Sequence, residues 1–406
     1  MLYPSVGVHP RPAPPDAPVR PHLDFLDGIR ALAALYVILG HAFLGTFQGP
    51  RIPYSFLTNW LIYVHFAVDV FIVLSGFCLA LPVARHGTLR GGALDFFRRR
   101  ARRILPPFYA AAALSLLLWI VSGMIGAIHH QSKLHPDAAL AGVLLANVFL
   151  LQDLFPDANW VNTPFWSVAV EWKIYFLFPL LVWIWRRHGL APMLAAAACI
   201  GYGLMALLHV VRPLLDQEHA CPWYVFLFAL GIWAAQAAAS PVEAREERRW
   251  LWAAGGLLAA LLLLLFGPAY CAGAFGWHVR GTDLPVLDTA AGALAAVVLV
   301  TLGRGGPAGA TQAGLKALSW RPLTFLGTFA YSLYLLHVPL LLGVQTLLFS
   351  HGSHFASPLA GLPRLAKFAW LTAVGVPIVV AASYLFFLAF ERPFLNTRRA
   401  EAHAAP

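Results

Sequence analysis

LDGIRALAALYVILGHAFL, residues 26–44, decides how the chain is read. Its length of ~28 Å as a helix nearly matches the ~30 Å hydrocarbon core of a bilayer. Beyond the acidic residue of its first turn, a guanidinium and an imidazole interrupt it. Arg30 and His41 are eleven residues apart, which is three helical turns plus ~20°, so both lie on one face, ~16 Å apart. Arg30 belongs near a membrane surface and His41 deep within. An ionisable group on a lipid-spanning helix marks a functional site by default.

The remainder of the chain agrees with a membrane reading. Its 406 residues are 60% hydrophobic and 11% charged, with mean hydropathy +0.70. That is the balance of a polytopic membrane protein of all-α class. The net charge of +10 does not indicate nucleic acid, because the basic residues cluster in short loops between apolar runs, where they orient helices. Residues 1–22 are Pro-rich, lack the apolar centre of a signal peptide, and are expected to be a disordered cytoplasmic tail. Residues 23–395 form the transmembrane domain and 396–406 a second cytoplasmic tail. The four cysteines contain no CxxC pair, which excludes a zinc ribbon, and no metal is expected.

Ten spanning helices are expected, roughly at 27–47, 60–82, 104–125, 166–185, 190–211, 222–240, 250–268, 286–303, 323–349 and 366–390. The run at 138–151 is ~21 Å as a helix, short for a span, and is read as re-entrant or interfacial. With both termini cytoplasmic, the outer loops hold only Arg51, Lys133, Arg212, Arg280 and Arg364 of the 28 Lys and Arg. Counting 138–151 as a span would place WRRHG, VEAREERRW and ERPFLNTRR outside, against the positive-inside rule. Cys221 and Cys271 then fall on the outer side, where a disulfide is permitted; two unbonded apolar cysteines are the simpler expectation.

Ionisable residues inside the spans gather at one level. Asp69 lies ~13 Å and Glu171 ~8 Å from the outer surface, while His41 and His337 lie ~20 Å from the inner one. A shared buried cavity explains four helices placing polar groups at one depth, since each group alone in lipid is costly. Ser167 and Glu171 share a face by i,i+4 spacing, and Tyr331, Tyr334 and His337 form a similar stripe. Such stripes also occur as polar seams between helices.

The second strong feature is FFRRRARRILPPFY, with Arg98, Arg99, Arg100, Arg102 and Arg103 placed just before the third span on the inner side. Arginine forks match phosphate oxygens bidentately. One or two arginines would anchor a helix to anionic lipid; five within six residues leave room for a phosphorylated ligand.

Together these stretches resemble the acyltransferase 3 family of integral membrane enzymes, over about residues 24–395. LDGIRALAALYVILGHA is similar to the family's opening helix, with its Arg–ten residues–His motif at Arg30 and His41. VDVFIVLSGFCLA resembles its second helix. The Arg-x-x-Arg element falls on Arg100 and Arg103, although Arg99 and Arg102 share the spacing. FWSVAVEWKIYF resembles the family's Trp-Ser-x-x-x-Glu helix at Trp166, Ser167 and Glu171. YSLYLLHVPL and the terminal ERPF (Glu391–Phe394) also fit.

The resemblance implies transfer of an acyl group, usually acetyl, from cytoplasmic acyl-CoA to a hydroxyl of a glycan or lipid-linked sugar, in a bacterial inner membrane. Many relatives carry a further soluble SGNH-type domain, absent from this sequence. Transfer to the acceptor is therefore expected in the membrane cavity or through a separate partner. His41 is the expected base, near neutral pH. Glu171 would orient it or bind sugar, and Arg30 would hold CoA or polarise the thioester carbonyl. Arg99, Arg100 and Arg103 would bind CoA. Asp69, Trp166, Ser167, Tyr331, Tyr334 and His337 would line the acceptor site. The competing class is a proton-coupled transporter of an anionic lipid or glycan; no symmetry between two halves of the sequence favours it.

Overall fold

Apolar runs become helices throughout the computed structural model, which describes residues 23–47, 59–89, 91–124, 140–210, 219–239, 244–271, 284–306, 309–349, 351–352 and 355–395. In lipid a helix satisfies every backbone group internally, which is why the long apolar elements among the described residues are helices. The helices are α1 (Asp24–Thr46), α2 (His65–His86), α3 (Gly92–Met124), α4 (Leu140–Val148), α5 (Phe165–His188), α6 (Leu190–Val210), α7 (Tyr224–Ala238) and α8 (Ala244–Cys271). They continue with α9 (Leu284–Arg304), α10 (Gly309–Leu318), α11 (Arg321–Thr328), α12 (Ala330–Phe349), α13 (Arg364–Trp370), α14 (Val376–Phe386) and α15 (Arg392–Leu395). Among the described residues, strand structure is limited to His351–Gly352 paired with Phe355–Ala356.

Eight of these helical segments are long and apolar enough to cross a membrane. Of the other two expected spans, 222–240 appears as α7, of 15 residues, and 250–268 lies inside α8, of 28. The nine residues of α4 reach only ~14 Å, too short to cross a bilayer. Both tails, residues 48–58 and the outer-loop residues Lys133, Arg212 and Arg280 lie outside the described residues, as does the side chain of Cys271; Cys221 is buried.

Three boundaries differ from the expectation, each for a local reason. The arginine cluster is not ahead of a helix but inside one. α3 begins at Gly92, and Pro106 and Pro107 sit within it, removing two amide donors without ending it. The expected span 323–349 is two helices, α11 and α12, with Phe329 at the break. Gly327 weakens the helix there, and the Thr328 hydroxyl donates to the Phe325 carbonyl at 2.7 Å, competing with the backbone ladder. The last span is one rod, 364–395, in which π turns at Leu371–Gly375 and Phe387–Glu391 separate α13, α14 and α15. Each π turn re-aims the side chains that follow it.

α2 packs chiefly on α7 and α9, and α1 on α11 and α12. Two glycines bring α2 and α7 together. A Cβ on Gly76 would meet the Phe228 carbonyl oxygen at 2.1 Å, and one on Gly231 would meet that of Val73 at 2.1 Å. Backbones approach this closely only where side chains are missing. One large apolar core, including Phe77, Phe165, Phe178 and Phe228, fills the α2–α3–α5–α7 region. A second, including Ile38, Phe329, Leu333 and Val379, joins α1, α12 and α14. Where the end of α7 meets the start of α8 and the end of α9, Arg304 donates to the Ala237 carbonyl at 2.8 Å, pairs with Glu246 at 3.1 Å and covers the Trp250 ring at 5.4 Å.

Candidate active site

The two apolar cores meet along a cavity of ≈ 360 Å³. Its walls come from α1, α2, α3, α5, α11, α12 and α15, so six stretches distant in sequence each supply polar groups. The first turns of α1 give Asp27 and Arg30. The middle of α2 gives Ser75 and Cys78. The start of α3 gives Arg100 and Arg103, α5 gives Ser167, Glu171 and Tyr175, and α12 gives Tyr331 and Tyr334. Glu391, at the end of the second π turn, completes the set.

Helical spacing explains the selection among the arginines. Arg98 and Arg102 are exposed, and Arg99 is turned to an ion pair with Asp95 one turn earlier. Arg100 and Arg103, three apart, share the inward face. The Arg100 Nε is buried without a hydrogen-bond partner among the described residues, a donor left for a ligand. Arg30 is held from two sides, by an ion pair with Asp27 and by donation to Cys78 Sγ at 3.1 Å. Glu171 accepts from the Tyr175 hydroxyl at 2.5 Å, which in turn lies 3.0 Å from Ser75 Oγ. Glu391 accepts from the Ser332 hydroxyl at 2.5 Å and its backbone N–H at 3.2 Å.

At the end away from the arginines stands Tyr334, whose hydroxyl is 2.6 Å from Ser167 Oγ and donates to the Pro164 carbonyl at 3.1 Å. Behind it the rings continue in a row: Tyr334 to His337, 5.5 Å between centroids, and His337 to His41, 4.8 Å. Neither histidine is among the residues lining the cavity. Both are anchored alike. His41 Nδ1 lies 2.9 Å from the Val37 carbonyl, and His337 Nδ1 lies 2.6 Å from the Tyr334 carbonyl. A carbonyl only accepts, so each Nδ1 carries the proton and each Nε2 presents a lone pair. That of His337 has no partner among the described residues.

The structure therefore brings Arg30, Arg100, Arg103, Ser167, Glu171, Tyr331 and Tyr334 to one cavity, and sets His337 and His41 in line behind it. It takes Asp69 and Trp166 elsewhere. Asp69 is fully buried near His65 and Asp288, and Trp166 stacks on His65 with centroids 5.3 Å apart. Trp166 and Ser167 are neighbours on α5, ~100° apart around the helix, so they face different regions. Sequence reasoning missed Asp27, Ser75, Cys78 and Tyr175. Tyr175 continues the Ser167–Glu171 face by the same i,i+4 step, a signal present in the sequence. Nothing local marks Ser75 or Cys78, whose place follows from how α2 packs.

Comparison with known proteins follows the same lines. The sequence model of the acyltransferase domain matches residues 23–388. Acyltransferase MdmB of Streptomyces mycarofaciens is 27% identical, over 78% of this chain and 78% of that protein. The peptidoglycan O-acetyltransferase OatA of Listeria monocytogenes is 24% identical, over 79% of this chain and 50% of its own length. The O-acetyltransferase OatA of Staphylococcus aureus is 25% identical, over 47% of this chain and 30% of its own length. The chain thus spans half or less of the length of these last two relatives. No solved structure matches it.

Proposed function

The chain belongs to the acyltransferase domain family, and from that premise we propose that it is a membrane O-acetyltransferase. It carries an acetyl group from cytoplasmic acetyl-CoA to a hydroxyl of an extracytoplasmic glycan or lipid-linked sugar. Two of the relatives above are named O-acetyltransferases, one of them for peptidoglycan. The observation that carries the reading is the cavity itself: arginines at one end, a chain of hydroxyls along it, and two imidazoles with available Nε2 atoms beyond its far end.

The reaction divides among these parts. Arg100 and Arg103 take phosphate oxygens of CoA, for which guanidinium forks are suited. The pantetheine arm is narrow and follows the cavity past Glu171 toward Tyr334. Arg30, already oriented by Asp27, stands beside Arg100 and Arg103 as a third cation for CoA. The acceptor hydroxyl approaches from the side of His41 and His337. His41 Nε2 takes its proton as the oxygen attacks the carbonyl carbon; the C–S bond breaks and CoA leaves as the thiolate. The Nδ1–carbonyl bond holds the imidazole in the tautomer this requires. Reaching His41 requires the Tyr334 side chain to move aside, which breaks its bonds to Ser167 and Pro164 and joins the cavity to the histidine pair.

The test is transfer from radiolabelled acetyl-CoA by purified protein in lipid nanodiscs, followed as CoA release and acceptor labelling. An acetyltransferase gives both. Transport without CoA release would replace this reading with the proton-coupled alternative.

A further inference from the structure

The proposed reaction leaves unused the polar cluster between α2, α7 and α9. His65 opens α2, Asp69 lies one turn on, and Asp288 sits near the start of α9. One ligand atom from each lies within 4.8 Å of the others. Both aspartates are 0% exposed. Asp288 Oδ2 accepts from Trp223 Nε1 at 2.8 Å and lies 3.1 Å from His65 Nε2. Its Oδ1 and both carboxylate oxygens of Asp69 lie outside hydrogen-bond geometry among the described residues, with the Tyr224 hydroxyl beside Asp69 and 2.7 Å from His65 Nε2. Among those residues, neither carboxylate has a lysine or arginine within ion-pair distance; His65 is the ion-pair partner of Asp288.

Two carboxylates buried side by side repel each other and have lost their hydration, so a positive charge among them is required to keep both ionised. Metal–ligand distances of ~2.0–2.2 Å place neighbouring ligand atoms ~3 Å apart and opposite ones a little over 4 Å apart. The 3.1 Å spacing of His65 Nε2 and Asp288 Oδ2 fits neighbouring ligands. The surroundings are those of a supported site. Trp223 orients one carboxylate, and the Trp166 ring, inclined 14° to the imidazole, fixes the plane of His65. One imidazole with two carboxylates is a mixed nitrogen and oxygen set, which suits Zn²⁺ or Mn²⁺ better than the all-oxygen preference of Ca²⁺.

We propose that His65, Asp69 and Asp288 bind one divalent cation of the Zn²⁺ or Mn²⁺ class. The ion ties α2 to α9, with Trp166 at the start of α5 stacked against its histidine ligand. No sequence motif announces it, because His65 and Asp288 are 223 residues apart. The proposal stands apart from acyl transfer and is read without any activity measurement.

The test uses the full-length protein in detergent. After washing, metal content is measured by mass spectrometry; the protein is then stripped with EDTA and reloaded with ZnCl₂ or MnCl₂ while thermal unfolding is followed. The expected result is about one ion per chain and a rise of several degrees in unfolding temperature on reloading. Asp69→Asn and Asp288→Asn, checked for monodispersity, should lose the ion and the rise, whereas Glu171→Gln keeps both. Stripped wild-type protein that takes up no ion and unfolds at the same temperature with and without metal overturns the proposal, whatever the variants do. So does an ion retained in Asp69→Asn and Asp288→Asn.

Discussion

Two polar regions border α2, and they handle buried charge in opposite ways. In the cavity, reached by Ser75 and Cys78, three arginines and three acids share one space, and Asp27, Tyr175 and Ser332 each hold a charged partner. Along the helix toward its start, Asp69 is buried beside Asp288, which meets a histidine and a tryptophan N–H, and that histidine meets a tyrosine hydroxyl. The cavity is open space in which each acid has a partner and one buried arginine nitrogen has none. The acidic cluster buries both its carboxylates, with three orphan oxygens, beside a part-exposed histidine. Open, balanced sites accept and release ligands, whereas packed, unbalanced ones are suited to holding a permanent charge.

The largest expected effect comes from the base. His41→Ala should lower acetyl transfer by about 10²–10⁴-fold, the range of general-base contributions, with protein level in the membrane unchanged. Wild-type rates in a well-expressed His41→Ala protein would hand the role to Glu171, which lines the cavity directly, and Glu171→Gln is the companion measurement.

Next comes the arginine end. Replacing Arg100 by Ala should raise KM for acetyl-CoA by roughly 10–100-fold, since a charged hydrogen bond contributes ~1.5–3 kcal/mol and ~1.4 kcal/mol is tenfold. An unchanged KM would move the CoA dock out of the cavity and dissolve the contrast between its two ends.

Packing gives the third effect. Gly76→Ala places a methyl against the Phe228 carbonyl, where even a Cβ sits at 2.1 Å. It should cost ~1–3 kcal/mol by overpacking, seen as a lower unfolding temperature in detergent. If stability is untouched, α2 and α7 are not pressed together as described, and both polar regions lose their shared scaffold. The smallest effect sharpens the register of the arginines: Arg99→Ala, which removes only a half-exposed pair with Asp95, should change KM for acetyl-CoA less than about fivefold, as surface ion pairs are worth ~0–1 kcal/mol.

Much of this was legible in the chain. Arg30 and His41 share a helix by arithmetic, and apolar run length places nearly every long helix. Arg100 and Arg103 were one of two equal registers until α3 extended back to Gly92 and turned Arg99 onto Asp95. Sequence groups Asp69 with Glu171 because depth along the membrane normal is readable from it, whereas direction around a helix against unknown neighbours is not. The break at Phe329 and the π turn before Glu391 were hidden because both are held by contacts with other helices.

By itself the sequence determined an all-α membrane protein, its principal helices and the residue types of an acyltransferase. Apolar length and spacing are local properties and survive without a fold. Tertiary packing alone decided that Arg30, Arg100, Glu171 and Tyr334 share one cavity, that the two histidines stand behind it, and that Asp69 faces Asp288 instead. Those outcomes depend on how far each helix is rotated against its neighbours, and rotation is settled where backbones touch, as at Gly76 and Gly231, not within any one stretch of chain.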